Sequence, residues 1–334
     1  MIRHLLTLAL LCSSFLAWGQ TFVAVTDKET SRSGNKHNFE SLSIYWWPNP
    51  DSADGLPYYV RDGEWNPEYK LYDFPRLLKL VDNLKMFNRN YPQDKTANYK
   101  AFCKQIDIWF LDSKTRMAPN FTYCQFVPGR NNGEGFAGGI IDAYNFITVL
   151  DELETMNRQK SVGWLRELRL RLWFKDFMKW MLTSSQGKEE AARTNNHGLA
   201  YDIILYRFAR FTKQPELCTS LVPRITQRIH AQIQADGRQP EELKRTRAFF
   251  YSAYNLEHMV DFCVMMHNSG NNYIDQEGSR VKEALLFLAP YLSDHSSWPY
   301  QEIGSWQECE NILRNQIRRC QAISNDPRLK SLSL

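Results

Sequence analysis

The sequence predicts an all-α protein, namely an α/α toroid in which helical hairpins form an incomplete barrel behind an irregular N-terminal lead-in. From residue 73 onward, apolar residues recur at helical spacing in segments separated by short loops. No segment alternates convincingly in the manner of a strand, and no repeat of fixed period is present. Long polar loops gathered at one end of successive helix pairs favour the toroid, with a plain helical bundle as the alternative.

The order of segments indicates one domain that spans residues 20–334. Residues 20–75 are rich in Pro, Gly, Asp and Trp, and they read as the lead-in. Helices are expected from residue 73, over 99–110, and then, after a loop at 118–135, over 139–150, 162–182, 199–211, 223–233, 246–267, 278–291 and 306–323.

Residues 1–19 have the pattern of a secretory signal peptide. Arg3 and His4 precede an apolar stretch at 5–16, and Ala17 and Gly19 are the small residues that a signal peptidase recognises. The apolar stretch is too short to span a bilayer, and no later stretch is long enough. The sequence therefore predicts cleavage after Gly19 and a secreted or periplasmic protein.

Composition fits a globular protein and excludes a nucleic-acid partner. Hydrophobic residues make up 43% and charged residues 23% of the chain, and the net charge of +4 is too weak for a nucleic-acid binder. The 13% of aromatic residues serve either helix packing or sugar binding, and composition leaves both open. Six cysteines follow residue 19, without a Cys-x-x-Cys pair or zinc-like spacing, so free thiols and one disulfide are equally compatible.

A polar run at residues 194–198 lies directly before an apolar helical segment. Asn is a preferred N-cap, so the helix that begins near Leu199 explains one Asn of the run, and Asn195 takes that role. A second Asn, Asn196, with His197 and Gly198 beside it, contributes nothing to a core. We therefore expect Asn196 and His197 to face a charged ligand.

A second run, at residues 236–245, precedes a helical face that carries polar and aromatic side chains. Arg247, Tyr251, Tyr254 and His258 follow helical spacing and would align on one side. Amide, imidazole and guanidinium groups can neutralise a uronate carboxylate, which makes the C5 proton acidic enough to remove. A Tyr near an Arg can take that proton and then protonate the leaving oxygen, so no metal or cofactor is needed.

The sequence resembles the alginate lyase superfamily of helical-toroid polysaccharide lyases. Five stretches carry the likeness and follow the expected order over nearly the whole chain after residue 19. They are residues 45–50 with 61–63, 119–125 with 128–130, 195–198, 236–245 with 251–252, and 298–300.

The resemblance implies roles for four residues. Asn196 and Arg245 would neutralise the substrate carboxylate, Tyr251 would act as base, acid or both, and His197 would assist or serve as base for the opposite C5 epimer. Helical spacing favours Arg247 rather than Arg245 as the partner of Tyr251, unless the helix begins only near residue 246. Tyr254 ranks second as the catalytic phenol.

Further positions are expected to contact substrate, although the aromatic ones suit packing equally well. These are Tyr123, Gln125, Arg130, Arg61, Trp46 and Trp47. Gly198 and the Tyr251–Ser252 pair look like the branch of the superfamily that includes glucuronan-active lyases. The loop at 131–139 is longer than the usual form.

The sequence thus predicts a secreted lyase that cleaves an anionic polysaccharide, foremost alginate, by β-elimination. Glucuronan or another polyuronate is the alternative substrate within the same chemistry. An inverting glycoside hydrolase, which needs two opposed carboxylates, and a non-catalytic glycan-binding protein are the alternatives outside it. Isolated histidines are interpreted as structural: His230, His258, His267 and His295.

Overall fold

The computed structural model describes residues 22–276 and 278–333, and these are mostly helical. The expectation of an all-α toroid is confirmed, while the predicted signal peptide lies outside the described residues. The α-helices are α1 (Phe74–Asn90), α2 (Lys95–Ile106), α3 (Asn145–Gln159), α4 (Trp164–Thr183), α5 (Ser185–Ala192), α6 (Asn196–Phe211), α7 (Pro215–Gln232), α8 (Pro240–Leu243), α9 (Ala248–His267), α10 (Val281–Leu288), α11 (Trp306–Ile323) and α12 (Pro327–Lys330).

Neighbouring helices pack as pairs, and several of them line one cavity. α1 packs against α2 and α3, α6 packs against α7, and α9 packs against α10 and α11. The cavity has a volume of about 660 Å³ and is lined by residues of α1, α3, α9 and α11, together with the segment before α3. Its wall carries charges of both signs. Asp261 of α9 forms an ion pair with Arg319 of α11 and accepts a hydrogen bond from it.

The described residues contain two short strand pairs, one of which connects the lead-in to the rest of the molecule. β1 (Glu40–Leu42) pairs in parallel with β4 (Tyr123–Phe126), which lies in the loop expected at 118–135. β2 (Trp46–Trp47) and β3 (Tyr59–Val60) form a separate antiparallel pair. Strands of two to four residues are too short to show alternation, so the sequence did not reveal them.

Several helix bounds differ from the predicted ones. α7 begins at Pro215 instead of residue 223, and Pro223 lies inside it. Both prolines suit a first turn, and the earlier one was overlooked. Residues 137–144 form 3₁₀ turns before α3, so the helix expected over 139–150 begins later and extends to Gln159. The short helix α5 was not predicted.

The interior between the first helices is aromatic. Phe110, Phe146, Trp173, Phe174 and Phe177 make edge-to-face contacts with ring centroids 4.8–6.1 Å apart. Such contacts stabilise the packing of long helices. Much of the aromatic excess therefore serves helix packing rather than sugar binding.

All six cysteines of the described residues are free thiols, so the disulfide alternative is wrong. Five are buried and one is half-buried: Cys103, Cys124, Cys263, Cys309 and Cys320, and then Cys218.

Candidate active site

The two polar runs meet at the N-terminal ends of α6 and α9. Asn196, the first residue of α6, lies with its side-chain Nδ2 3.5 Å from Glu242 Oε2 in α8. Arg245 and Tyr251 follow directly in the chain, and the Arg245 guanidinium carbon lies 3.6 Å from the centre of the Tyr251 ring. The fold thus brings Asn196, Arg245 and Tyr251 into one region.

Asn195 occupies the N-cap position of α6, yet its side chain makes no capping hydrogen bond. The expectation that it serves as a side-chain cap is therefore wrong. Its side-chain oxygen is buried without a partner, whereas its backbone carbonyl accepts a hydrogen bond from Gln232 Nε2 at 2.9 Å. The turn before α6 is therefore stabilised by Gln232 of α7 instead.

Gly198 is required by close packing. A Cβ at this position would lie 1.9 Å from the carbonyl oxygen of Arg193 and 2.4 Å from Arg228 Nη1. Neither distance is compatible with a side chain, so only glycine lets the first turn of α6 lie against residue 193. The glycine that the sequence grouped with Asn196 and His197 therefore has a structural reason of its own.

His197 is held by a buried carboxylate that the sequence did not indicate. Its Nδ1 lies 2.6 Å from Glu190 Oε1, and Glu190, in α5, has an exposure of 0%. The second carboxylate oxygen lies 2.9 Å from Arg193 Nε. This contact fixes the imidazole as the Nδ1–H tautomer and leaves Nε2 as the free acceptor.

Tyr251 is buried against both a cation and a second phenol. Its hydroxyl donates a hydrogen bond to the hydroxyl of Tyr45, a residue of the lead-in that was not predicted as part of the site. Burial and Tyr45 raise the pKa of Tyr251 well above its usual value, while the positive charge of Arg245 acts to lower it. Tyr251 is therefore a neutral phenol whose ionisation depends on Arg245.

Arg245 is positioned by the lead-in as well. Asp62 forms an ion pair with its guanidinium and also accepts a hydrogen bond from the Thr246 backbone N–H at 3.2 Å. Burial raises the pKa of Asp62, but the hydrogen bonds from Arg245 and Thr246 outweigh this, so the net pKa of Asp62 is lowered. The ion pair keeps Arg245 beside the Tyr251 ring.

Arg247, the other candidate arginine, is engaged elsewhere. α9 begins at Ala248, so Arg247 is not on the helical face that carries Tyr251, and the spacing argument does not apply. Its Nη2 lies 2.6 Å from Glu308 Oε2, its Nε lies 3.6 Å from Glu302 Oε1, and it is 6% exposed. These contacts join the start of α9 to α11.

Tyr254 lines the cavity, and His258 lies one turn further along α9. The His258 ring is fully buried between the rings of Tyr144 and Tyr254, at centroid distances of 4.3 and 4.7 Å. Neither ring nitrogen of His258 has a hydrogen-bond partner, and burial lowers its pKa to about 3. Burial also raises the pKa of Tyr254. Arg245 lies over the ring of Tyr251 and not over the ring of Tyr254.

Gln125 is the one strained residue among the expected substrate contacts. Its φ of 52° lies in the left-handed region, which a non-glycine residue adopts at a cost. Its Nε2 donates to Asp142 Oδ1 at 2.8 Å. Burial raises the pKa of Asp142 to about 6, against the lowering effect of that hydrogen bond and of the nearby His197. Gln125 is therefore linked to the His197 side of the site.

The remaining expected contacts lie on and beside the short strands. The guanidinium of Arg130 lies 4.3 Å from the ring centre of Trp46, and that of Arg61 lies 4.5 Å from the ring centre of Trp47. Each indole therefore has one face covered by a cation. Tyr123 is half-buried in β4.

Metal and membrane features are absent from the described part of the chain. No group of three or more His, Cys, Asp or Glu side chains within residues 22–276 and 278–333 could hold a metal ion. Among the same residues, no helix is both long and apolar enough to cross a membrane.

The helical fold and these contacts are compatible with a polysaccharide lyase. Asn196 and Arg245, whose side chains can donate hydrogen bonds to a carboxylate, lie in one region with the Tyr251 phenol. The chain matches the family model described as alginate lyase over residues 24–298, and it therefore belongs to the alginate lyase family.

A solved structure agrees with this assignment. The crystal structure of an alginate lyase from Bacteroides ovatus matches with a TM-score of 0.88 and 34% sequence identity. The match covers 95% of this chain and 85% of that one. A comparison with curated proteins gives no match.

Proposed function

We propose that this polysaccharide lyase cleaves a uronate polymer, alginate foremost, by β-elimination. The observation that carries the proposal is the contact of the Arg245 guanidinium with the Tyr251 ring at 3.6 Å, next to Asn196 and His197. A substrate with a carboxylate at C5 suits such an arrangement, because its α-proton becomes acidic once the carboxylate is neutralised.

In the proposed reaction, Asn196 and Arg245 bind the carboxylate of the uronate that loses its C5 proton. Their donors stabilise the enolate-like charge that develops when C5 loses its proton. This stabilisation is greater in the transition state than in the bound ground state, so it lowers the barrier rather than only tightening binding.

Tyr251 carries the proton. Before the reaction, Tyr251 releases its phenolic proton to solvent, and the phenolate is stabilised by Arg245 and by a hydrogen bond that Tyr45 now donates. The phenolate takes the C5 proton, and the electrons of the C5–H bond form the C4–C5 double bond. The C4–O4 bond breaks, and the Tyr251 phenol returns the proton to the departing O4. One new hydroxyl and one 4,5-unsaturated uronate result, with no net change in protons and no oxidant.

His197 is the second proposed base. Its Nε2 is the free acceptor because Nδ1 is held by Glu190. On a uronate whose C5 proton points to the opposite face of the ring, His197 would take the proton in place of Tyr251. The relative rates on mannuronate and guluronate then report which base acts.

The decisive test is an assay of purified protein on poly-mannuronate, poly-guluronate and glucuronan. We expect ultraviolet absorbance from the 4,5-double bond, with the largest rate on an alginate block. Activity confined to glucuronan would move the substrate to the branch that Gly198 and the Tyr251–Ser252 pair resemble. New reducing ends without absorbance would identify a hydrolase, and oligosaccharide-dependent tryptophan fluorescence without any product would identify a binding protein.

We also propose that residues 1–19 export the enzyme, which would place it where extracellular polymer is available. The pattern of Arg3 and the apolar stretch at 5–16 supports this proposal. N-terminal sequencing of the protein recovered outside the cytoplasm should begin at Gln20. A chain that retains Met1 in the cytoplasmic fraction would contradict it.

A further inference from the structure

The outer side of α4 carries a row of apolar side chains that are exposed to solvent. Trp164 is 77% exposed, Leu165 52%, Leu168 45% and Leu172 53%. Helical residues that lie four or seven apart share one side of the helix, so these four residues form a single stripe about 12 Å long. We name them the α4 stripe.

The α4 stripe is separate from the hydrophobic core. The opposite side of α4 supplies the core with Trp173, Phe174 and Phe177, which are buried. The first half of α4 is therefore apolar on both sides, whereas a helix at the surface of a globular protein normally turns polar side chains outward. Exposed apolar residues that occur singly need no explanation, but a contiguous row of them marks a contact surface.

Positive charge adjoins the α4 stripe. Lys175 and Lys179 lie three and seven residues after Leu172, so they continue the exposed side of the helix toward its C-terminal end. Arg169 lies beside the stripe and is exposed as well. Asp176 is the one exposed acidic residue of α4. The exposed charge of the helix is therefore positive.

The remaining cations of α4 are already neutralised. Arg166 forms an ion pair with Asp107, and Arg171 forms one with Glu167. The three exposed cations of α4 have no such partner within residues 22–276 and 278–333. Apolar side chains and uncompensated cations thus lie together on one exposed side of one helix.

We propose that the α4 stripe docks on the surface of an anionic phospholipid bilayer. The indole and the leucines enter the boundary between headgroups and acyl chains, which is the depth that tryptophan favours. Lys175 and Lys179 contact the lipid phosphates. In this arrangement α4 lies in the plane of the membrane surface and does not cross it, and its buried side stays packed in the core.

The combination of apolar and cationic side chains distinguishes a bilayer from other occupants. Two copies of the chain that paired through this face by two-fold symmetry would bring their uncompensated cations together. A polyuronate would neutralise the cations but leave the leucines in water. An anionic bilayer offers phosphates to the cations and hydrocarbon to the leucines, so it matches both features.

The first test measures co-sedimentation of the protein with vesicles of phosphatidylglycerol and with vesicles of phosphatidylcholine. The chain that begins at Gln20 is used, because it contains every described helix and lacks the apolar stretch at 5–16, which would itself bind lipid. We expect binding to phosphatidylglycerol to be at least about tenfold tighter than binding to phosphatidylcholine, and to weaken as salt is added.

Variants of the exposed side chains separate the apolar and the charged contributions. Leu168→Asn/Leu172→Asn should weaken binding to phosphatidylglycerol by about tenfold or more, because two apolar side chains leave the contact. Lys175→Gln/Lys179→Gln should weaken it by about tenfold and reduce the preference for the anionic vesicles. Leu71→Asn is the matched control, because Leu71 is 72% exposed and belongs to the lead-in, and it should bind as wild type does. Circular dichroism checks that each variant is folded.

The second test locates the contact by tryptophan fluorescence. Phosphatidylglycerol vesicles should shift the wild-type emission to shorter wavelength, and Trp164→Phe should sediment with them but lose most of this shift. Wild type that does not sediment with phosphatidylglycerol, or equal sedimentation of Leu168→Asn/Leu172→Asn and Leu71→Asn, would overturn the proposal. A dimer in sedimentation velocity that Leu168→Asn/Leu172→Asn dissociates would also overturn it, because it would assign the stripe to a second copy of the chain.

Discussion

At the scale of single residues, the proposed chemistry depends on one cation beside one phenol. The Arg245 guanidinium lies over the ring of Tyr251 and not over that of Tyr254, three residues later on the same helix. A buried phenol ionises only with such compensation, because desolvation raises its pKa. Replacing Tyr251 should therefore reduce the rate more than replacing Tyr254.

Tyr251→Phe should reduce kcat on the preferred polymer by about 10²- to 10⁴-fold, since it removes the group that carries the proton. KM should change little, because the proposed carboxylate contacts of Asn196 and Arg245 do not involve the Tyr251 hydroxyl. Tyr254→Phe is the matched control and should keep most of the activity. Initial rates of ultraviolet absorbance measure both variants. A larger loss in Tyr254→Phe than in Tyr251→Phe would reverse the two assignments.

Glu190→Gln should lower kcat by about 10- to 100-fold, since it weakens the hold on the His197 tautomer while keeping the side-chain shape. The control is Glu189→Gln, because Glu189 lies on the same helix, is exposed and contacts only Arg193. Two-bond nitrogen–proton NMR of the histidines should show the Nδ1–H tautomer of His197 in the control and a mixture in Glu190→Gln. Equal tautomer populations and rates in the two variants would contradict the role of Glu190.

At the scale of elements, the start of α9 is fixed to α11 by a largely buried ion cluster. Arg247 contacts Glu302 and Glu308, and Glu302 also accepts the backbone N–H of Phe250 at 3.0 Å. Because Tyr251 lies in the first turns of α9, this cluster sets its place without touching the substrate. Arg245 and Arg247 therefore make different contacts, although they lie two residues apart.

Arg247→Ala should lower the free energy of unfolding by about 3 kcal/mol, because it leaves Glu302 buried without its cation. Arg245→Ala should cost less stability, since Arg245 and Asp62 are each 29% exposed, but it should lower kcat far more. Urea unfolding and initial rates on the same samples separate the two effects. Arg247→Ala with normal stability and lost activity would show that Arg247 acts on the substrate.

Helices were predictable from periodicity, but the short elements that complete the site were not. α5 has eight residues and contains Glu190, so a strongly periodic pattern cannot develop over its length. The run at 194–198 was recognised from its unusual composition. Glu242 and Glu190 were not recognised, since a carboxylate beside Asn196 or His197 in space leaves no trace in local sequence.

At the scale of the whole molecule, burial of a neutral His258 makes the fold sensitive to acid. The folded state lowers the pKa of His258 from 6.5 to about 3. Between these values the unfolded chain binds a proton that the folded chain does not. The contribution of His258 to the free energy of unfolding is therefore largest above pH 6.5 and decreases as the pH falls toward 3.

His258→Phe should raise the free energy of unfolding by about 1 kcal/mol at neutral pH, because two unpartnered ring nitrogens are removed. The gain should grow as the pH falls below 6.5. His267→Gln, at the exposed C-terminal end of α9, is the control for replacing a histidine that is not buried. Thermal unfolding between about pH 4 and pH 8 measures this. A destabilised His258→Phe protein at every pH would show that the ring nitrogens do have partners.

The toroid and the meeting of the two polar runs followed from patterns along the chain, whereas contacts with the lead-in did not. Tyr45 and Asp62 lie 206 and 183 residues before the groups they contact, Tyr251 and Arg245. No periodicity relates positions so far apart. The lead-in was predicted as irregular and is nonetheless part of the site.

The long sequence separation between the lead-in and its partners means that the two parts of the site are synthesised at different times. A ribosome that has made the lead-in and α1 to α7 has not completed the proposed active site, because Tyr251 in α9 and the helix α11 that holds the start of α9 are made later. Contacts of such long sequence separation also form late in folding. The newly made chain should therefore stay inert through elongation and gain activity in one late step, which a time course of coupled translation and product formation would record as a lag.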